Sequence, residues 1–335
     1  KPGVIVLACE LIDHNGEELL RIMNQYVSDW GWEDEFSQWM ANDCTICTTL
    51  VDTIVPGRIR DPKEAAAVAE RLGYEDPFLA VREPFQMWGI QGDESLKERL
   101  PFVKAGLPGV FVTPDVTTYK KRKVRILNGA HTAFVPGSWV AGFDIVRDCM
   151  HDETVRGFMN TMLYDEVIPT LAADLDVEDC KAFAAAVENR FDNPFIDHAL
   201  LSICLNSTAK WRARDLPTLK DYVAETGNLP KCLSTSLATL IAFYTQELVA
   251  REGDGLHLRR ADGTEYTAQD DAFVLDFYAA HAGVDDAELV HDVLTNEQMW
   301  GEDLTQIAGL EEFVVNALAV VRAEGVKQAF ANAQA

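Results

Sequence analysis

Apolar and polar positions along the first hundred residues follow two periods in turn. The run "GVIVLAC" (3–9) is short and continuously apolar, which predicts a strand buried in a parallel sheet. "NGEELLRIMNQYVSDWG" (15–31) sets Leu19, Leu20, Ile22, Met23 and Tyr26 at helical spacing, and "PKEAAAVAERLG" (62–73) predicts a second helix, opened by Pro62 and closed by Gly73. "FQMWGIQ" (85–91) and "GVFVTP" (109–114) read as short strands. From about residue 117 the pattern changes to long helices, broken at Pro136, Pro169, "DNP" (192–194), "GNLP" (227–230) and the turn-rich "EGDGLHLRRADGTEY" (252–266). The expected fold is α/β plus all-α, with an α/β part over 1–116 and a nearly all-helical domain over 117–335.

One of those helices carries groups foreign to a buried face. In "KVRILNGAHTAF" (123–134), at about 100° per residue, Asn128 lies roughly 140° round from Lys123 and His131 roughly 80° round. The three share an arc with Val124, Leu127, Phe134 and Val135, while Arg122 and Arg125 point the other way. Burying them unpaired costs on the order of 1–3 kcal/mol for each neutral group and more for an ammonium. Either they satisfy one another as a structural network or they serve a ligand. A lysine desolvated on such a face has its pKa lowered from about 10.4 toward neutrality and then exchanges protons at working pH. An asparagine amide donates to an oxygen gaining negative charge, and a histidine holds a substrate oxygen.

Composition narrows the partners. The 335 residues are 48% apolar, enough for about two domains with sizeable cores. A formal charge of −25 argues against nucleic acid and anionic membranes, which require basic surfaces. In that setting the basic run from Lys120 to Lys123 reads as a solvated helix start with one inward lysine. The longest candidate for a membrane span, "LSTSLATLIAFYTQ" (233–246), falls short of the roughly 18 to 20 apolar residues required. Seven scattered cysteines, with Cys44 and Cys47 the one close pair, fit a reducing, cytoplasmic setting better than a disulfide framework or a zinc site. Trp30, Trp32, Trp39 and Trp88 read as core aromatics.

"YKKRKVRILNGAHTA" (119–133) resembles the catalytic helix of the polyol-specific long-chain dehydrogenase/reductase family, whose motif is K-x4-N-x2-H. Similar stretches occur in order from end to end: "CELIDHNG" (9–16), "TLVDTIV" (49–55), "EPFQMWGIQG" (83–92), "YDEVIPTL" (164–171), "RFDNPFIDHALLSICLNSTAKW" (190–211), "LATLIAFY" (237–244) and "WGEDLTQIAGL" (300–310). Several of these resemble the tagaturonate-reducing branch rather than the mannitol branch. The resemblance implies a Rossmann-like N-terminal domain followed by a helical domain like the C-terminal domain of 6-phosphogluconate dehydrogenase, with the active site in the cleft between them. It implies reversible NAD-linked reduction of D-tagaturonate to D-altronate in hexuronate breakdown, without a metal. Lys123 is then the general acid in reduction and the general base in oxidation, and Asn128 and His131 position the reacting carbonyl. Asp52 lines the site, Lys210 matches a substrate-contacting lysine suited to a carboxylate, and Asn206 is grouped with it. Asn15 and Gly16 match the turn facing the nicotinamide. His198, expected on a helix, is either a pocket residue or the donor of a structural hydrogen bond.

Departures from the family pattern are equally specific. Thr53 stands where the family signature has arginine, Leu11 where the mannitol branch has an oxyanion-holding asparagine, Lys120 where that branch has a proton-relaying glutamate, and Ser202 where it has arginine. Family members begin with about 150 further residues that carry the glycine-rich phosphate turn, and no GxGxxG occurs here. The expectation is therefore the last part of a nucleotide domain and a whole helical domain. A fructuronate- or polyol-specific sibling and an inactive or sugar-acid-binding fragment are the alternatives.

Overall fold

Strand β1 (Ile5–Leu7) forms within the first apolar run and pairs in parallel with β2 (Thr45–Cys47); two helices, Asn15–Asp29 and Asp34–Asn42, make the crossover. The computed structural model describes residues 2–32, 34–59 and 61–335, and the chain divides into two units, 1–121 and 122–335. The division falls in the helix Thr117–Arg122, just past the change of pattern near 116.

In the first unit, β3 (Thr49–Asp52) pairs antiparallel with β4 (Met87–Gln91), which runs parallel to β5 (Val110–Thr113). Cys47, Ile90, Leu96 and Leu100 form the core, with Ile5, Trp88, Phe102 and Val112 packed on it, and β1 itself is half-buried rather than buried. The helix Pro62–Leu72 begins and ends as its sequence dictates. Asp61 accepts a hydrogen bond from the Lys63 N–H, Pro62 fills the first turn, and Gly73 closes the helix at a φ of 80°. Trp30 and Trp32 are surface residues, 59% and 46% exposed, which corrects their reading as core.

Asn15 and Gly16 sit where the helix Asn15–Asp29 meets the β2–β3 junction. The Asn15 amide donates to the carbonyls of Glu10 and Thr49, each at 3.0 Å, and its Oδ1 accepts from the Thr49 N–H at 3.0 Å. It clamps the loop after β1 to the start of β3. A Cβ on Gly16 would lie 2.4 Å from the Thr48 nitrogen, and backbone cannot give way cheaply. Gly16→Ala is expected to destabilise the first unit by about 1–3 kcal/mol, read as a lowered midpoint in urea.

The second unit is built around the helix Lys231–Tyr244, buried at every position after Lys231. A helix of small and apolar residues buried on every side belongs inside a domain, and this one packs against Gly129–Val140 and Leu310–Glu324. No helix among the described residues is long and apolar enough to cross a membrane. Glu166 caps the central helix from a distance: its two carboxylate oxygens accept the N–H groups of Cys232 at 2.7 Å and Leu233 at 2.9 Å.

Three features of this unit correct the sequence reading. The stretch 252–266 is not merely turn-rich; it holds most of a three-stranded antiparallel sheet, β6 (Glu247–Glu252), β7 (Gly255–Arg259) and β8 (Glu265–Ala268). The signal was present in the alternation of Leu256 and Leu258 with His257 and Arg259, flanked by "GDG" and "ADGT" turns. Pro136 does not end its helix, which runs on to Val140, because every residue from Gly129 to Trp139 is buried and packing outweighs the missing hydrogen bond. The turn from Lys123 to Asn128 is π-helical, not α-helical.

Candidate active site

Lys123, Asn128 and His131 lie along one continuous helical path: Thr117–Arg122, then the π-helical Lys123–Asn128, then the α-helix Gly129–Val140. A π-helical hydrogen bond spans five residues instead of four. Asn128 therefore stands one turn above Lys123, closer in angle than α spacing gives, and His131 follows on the same side. Arg122 and Arg125 turn to partners on neighbouring helices, with side chains only 13% and 12% exposed. Arg122 pairs with Asp179 and lies 4.6 Å over the Phe183 ring, while Arg125 donates to Thr218 and Asp221.

The question of pairing or ligand has a partial answer in two atoms. Asn128 Oδ1 and His131 Nε2 are both buried and have no hydrogen-bond partner among the described residues. Polar atoms in that condition are uncommon in native proteins and are costly unless a ligand or water meets them. The His131 ring stacks on Phe191 at 4.0 Å between centroids and has His198 edge-on at 5.4 Å. Burial holds the imidazole well below its usual pKa of 6.5, and the nearby His198, Arg214, Arg190 and Lys210 push the same way. His131 is thus neutral at neutral pH. His131→Gln is expected to lower kcat/KM about tenfold to a hundredfold while leaving the shape of the pH–rate profile unchanged, measured between pH 6 and 9.

Arg190 lies in the helix Val177–Phe191, and two further cations come from the helix Ser207–Arg214. Its first turn is tied down by Asp270, whose Oδ2 accepts the Thr208 N–H at 3.0 Å and the Tyr244 hydroxyl. Lys210 donates to the Ile203 carbonyl at 2.9 Å, and its pKa is lowered by burial and by Arg214. Arg214 donates to Thr132 Oγ1 at 3.0 Å, and Thr132 donates in turn to the Asn128 carbonyl at 2.9 Å. Asp215, which follows Arg214, is so buried that its pKa is pushed well above the carboxylate range, despite Arg214 and Arg125. It lies against Gly129, where a Cβ would approach its Oδ1 to 2.8 Å.

The second unit thus gathers Lys123, Asn128, His131, His198 and Lys210. It also adds Arg190, Arg214 and Asp215, which the sequence reading missed. The one signal for Arg214 was its spacing of four from Lys210 in "KWRAR", the distance between residues on one helical face. His198 is not on a helix, as expected, but in an extended segment, where its carbonyl accepts the Val146 N–H at 3.0 Å beside the Ile145–Ala199 bridge. The Asn206 side chain is exposed; with a left-handed φ of 53° it starts the helix, and its carbonyl accepts the Lys210 N–H. In the first unit, Asp52 is buried at the end of β3 opposite Met87, and the Thr53 hydroxyl donates to the Phe85 carbonyl at 2.7 Å. Lys120 forms an ion pair with Asp13.

This fold and this helix define a known class. Residues 1–104 match the mannitol dehydrogenase Rossmann domain and residues 115–322 the mannitol dehydrogenase C-terminal domain, so the chain belongs to the mannitol dehydrogenase family. Within it, the chain is 41% identical to an altronate oxidoreductase of Yersinia enterocolitica, over 98% of this chain and 66% of that protein. It is also 41% identical to one of Escherichia coli O17:K52:H18, over 98% of this chain and 65% of that protein. The chain therefore spans about two thirds of the length of the curated relatives it matches. Its fold is that of the Pseudomonas fluorescens mannitol 2-dehydrogenase in complex with NAD and D-mannitol, with a TM-score of 0.73 at 21% identity, covering 99% of this chain and 62% of that one. A substrate-free D-sorbitol dehydrogenase superposes with a TM-score of 0.75 at 20% identity, over 97% and 62%.

Proposed function

We propose that this chain is the catalytic part of an NAD-linked dehydrogenase that interconverts D-tagaturonate and D-altronate. The observation that carries the reading is the pair of buried, unpartnered atoms, Asn128 Oδ1 and His131 Nε2, on the helical path that begins with Lys123. In reduction Lys123 gives its proton to the carbonyl oxygen as that oxygen becomes an alkoxide; in oxidation it takes the proton back. Asn128 Oδ1 accepts from a substrate hydroxyl, and the neutral His131 holds the reacting oxygen without adding charge. Support for a sugar acid over a neutral polyol comes from the cations Lys210 and Arg214 and from the names of the relatives.

The first unit fits the nicotinamide end of the cofactor. At the carboxyl end of β1, where folds of this class take ligands, Leu11 and Ile12 are 87% and 50% exposed and His14 adopts a left-handed φ of 51°. Bound NADH supplies the hydride. Asn15 serves the cofactor by shaping this loop, since its amide is already engaged by Glu10 and Thr49, and Gly16 by letting the helix approach the strands. Asp52 and Asn206 line the substrate in this reading, on the strength of the resemblance.

The test is NADH oxidation by the complete protein with D-tagaturonate, D-fructuronate and D-fructose. Tagaturonate should be turned over with the highest kcat/KM. Faster turnover of fructose overturns the substrate assignment, and faster turnover of fructuronate moves it to the sibling uronate.

A further inference from the structure

Lys210 and Arg214 are an unusual pair to find partly buried in a chain of charge −25. They stand four residues apart on one helix, a spacing at which like charges repel. Burial lowers the pKa of both, Arg214 lowers that of Lys210 further, and Asp270 beside Lys210 and Asp215 beside Arg214 act the other way without cancelling the effect. The carboxyl next in sequence, Asp215, is fully buried, and burial raises its pKa against the pull of Arg214 and Arg125. Such an arrangement is stabilised when an anion arrives.

The two cations are not equivalent. Lys210 is a point charge already donating to the Ile203 carbonyl. Arg214 is a planar fork anchored at one nitrogen, Nη1, through Thr132 to the carbonyl of Asn128. That chain of bonds places the guanidinium one residue from His131 along the helix that carries Lys123 and Asn128. A guanidinium oriented in this way reads a carboxylate through paired N–H donors, which an ammonium cannot do.

We propose that Arg214 is the residue that selects a carboxylate-bearing substrate over a neutral ketose. This rests on the dehydrogenase reading above and adds to it the group that reads the acid end. In the complete protein, Arg214→Gln is expected to raise KM for D-tagaturonate and the inhibition constant of D-altronate about tenfold to a hundredfold. The same variant should lower kcat/KM for D-fructose at least about tenfold less than that for D-tagaturonate, so that the acid-to-neutral preference collapses. Arg214→Lys, which keeps the charge and is the safer variant for folding, should recover only part of the affinity for the acid. A KM for tagaturonate within twofold of wild type in both variants overturns the assignment, as does an equal loss for acid and neutral substrates, which marks Arg214 as a purely structural anchor of Thr132. If the unmutated enzyme turns over no hexuronate at all, the dehydrogenase reading itself falls; if it does and only the Arg214 variants behave normally, that reading stands and Arg214 alone is wrongly assigned.

Discussion

Lys123→Met in the complete protein is expected to lower kcat for tagaturonate reduction about 10²- to 10⁴-fold, the range attributable to one general acid. Methionine keeps an unbranched apolar stem of nearly the same length and removes the ammonium, with its charge and its transferable proton. The half-buried position on the first turn of the π-helical stretch tolerates that change, so the thermal midpoint should move little. KM should stay within a few-fold, because the proton is delivered to charge that exists only as the hydride arrives, and interactions made only in the transition state appear in kcat. Initial rates of NADH consumption, paired with a melting curve, check this. A variant with wild-type kcat removes Lys123 from the chemistry, whatever the rest of the site does.

The largest effect on stability is expected at Glu166. Glu166→Ala leaves the Cys232 and Leu233 N–H groups without acceptors at the start of the helix around which the second unit is built. Two buried, unsatisfied donors cost roughly 1–3 kcal/mol each, about 2–6 kcal/mol together, or a fall of about 5–20 °C in Tm for a domain of this size. The ordinary side chain also leaves a signature in pH. Burial pushes the Glu166 carboxyl up to about 7 from 4.5, even against the pull of the two N–H donors. Between those values the folded protein keeps a proton that the unfolded chain releases, so this group's contribution is fully present below 4.5 and is lost as pH rises through 7. The loss amounts to about 3 kcal/mol. Glu166→Gln keeps an acceptor oxygen and cannot titrate. Its unfolding free energy, measured in denaturant at pH 5 and pH 8, should fall less over that interval than that of the wild type. Identical falls would show that Glu166 does not titrate in this window.

Both predictions rest on residues whose partners differ greatly in how far they lie along the chain, and that distance separates what was legible from what was not. The helix at 62–72 was legible because Asp61, Pro62 and Gly73 act on their immediate neighbours. The strands within 85–91 and 109–114 were legible because short apolar runs between turn residues have few other uses. Lys123, Asn128 and His131 stood out for a related reason: polar groups within nine residues of one another broke an apolar helical face, and their order matched a family motif. The sheet β6–β8 was equally local and was passed over, although its alternation and its two turns were in plain view.

Packing decided the rest. Nothing near Lys123 announces a π-helical turn, because the extra residue per turn is held by the elements the helix lies against and not by its own propensities. Nothing in "YDEVIPTL" shows that Glu166 caps a helix beginning 65 residues later with Lys231, although the bond to Cys232 spans 66 positions. Arg214 reaches Thr132 across 82 positions, and the Asn15 amide is spent on Thr49 across 34. Hydrogen-bond geometry and desolvation act over a few ångströms of space, and a side chain's charge, orientation and free valences are settled by whatever the folded chain brings within that range.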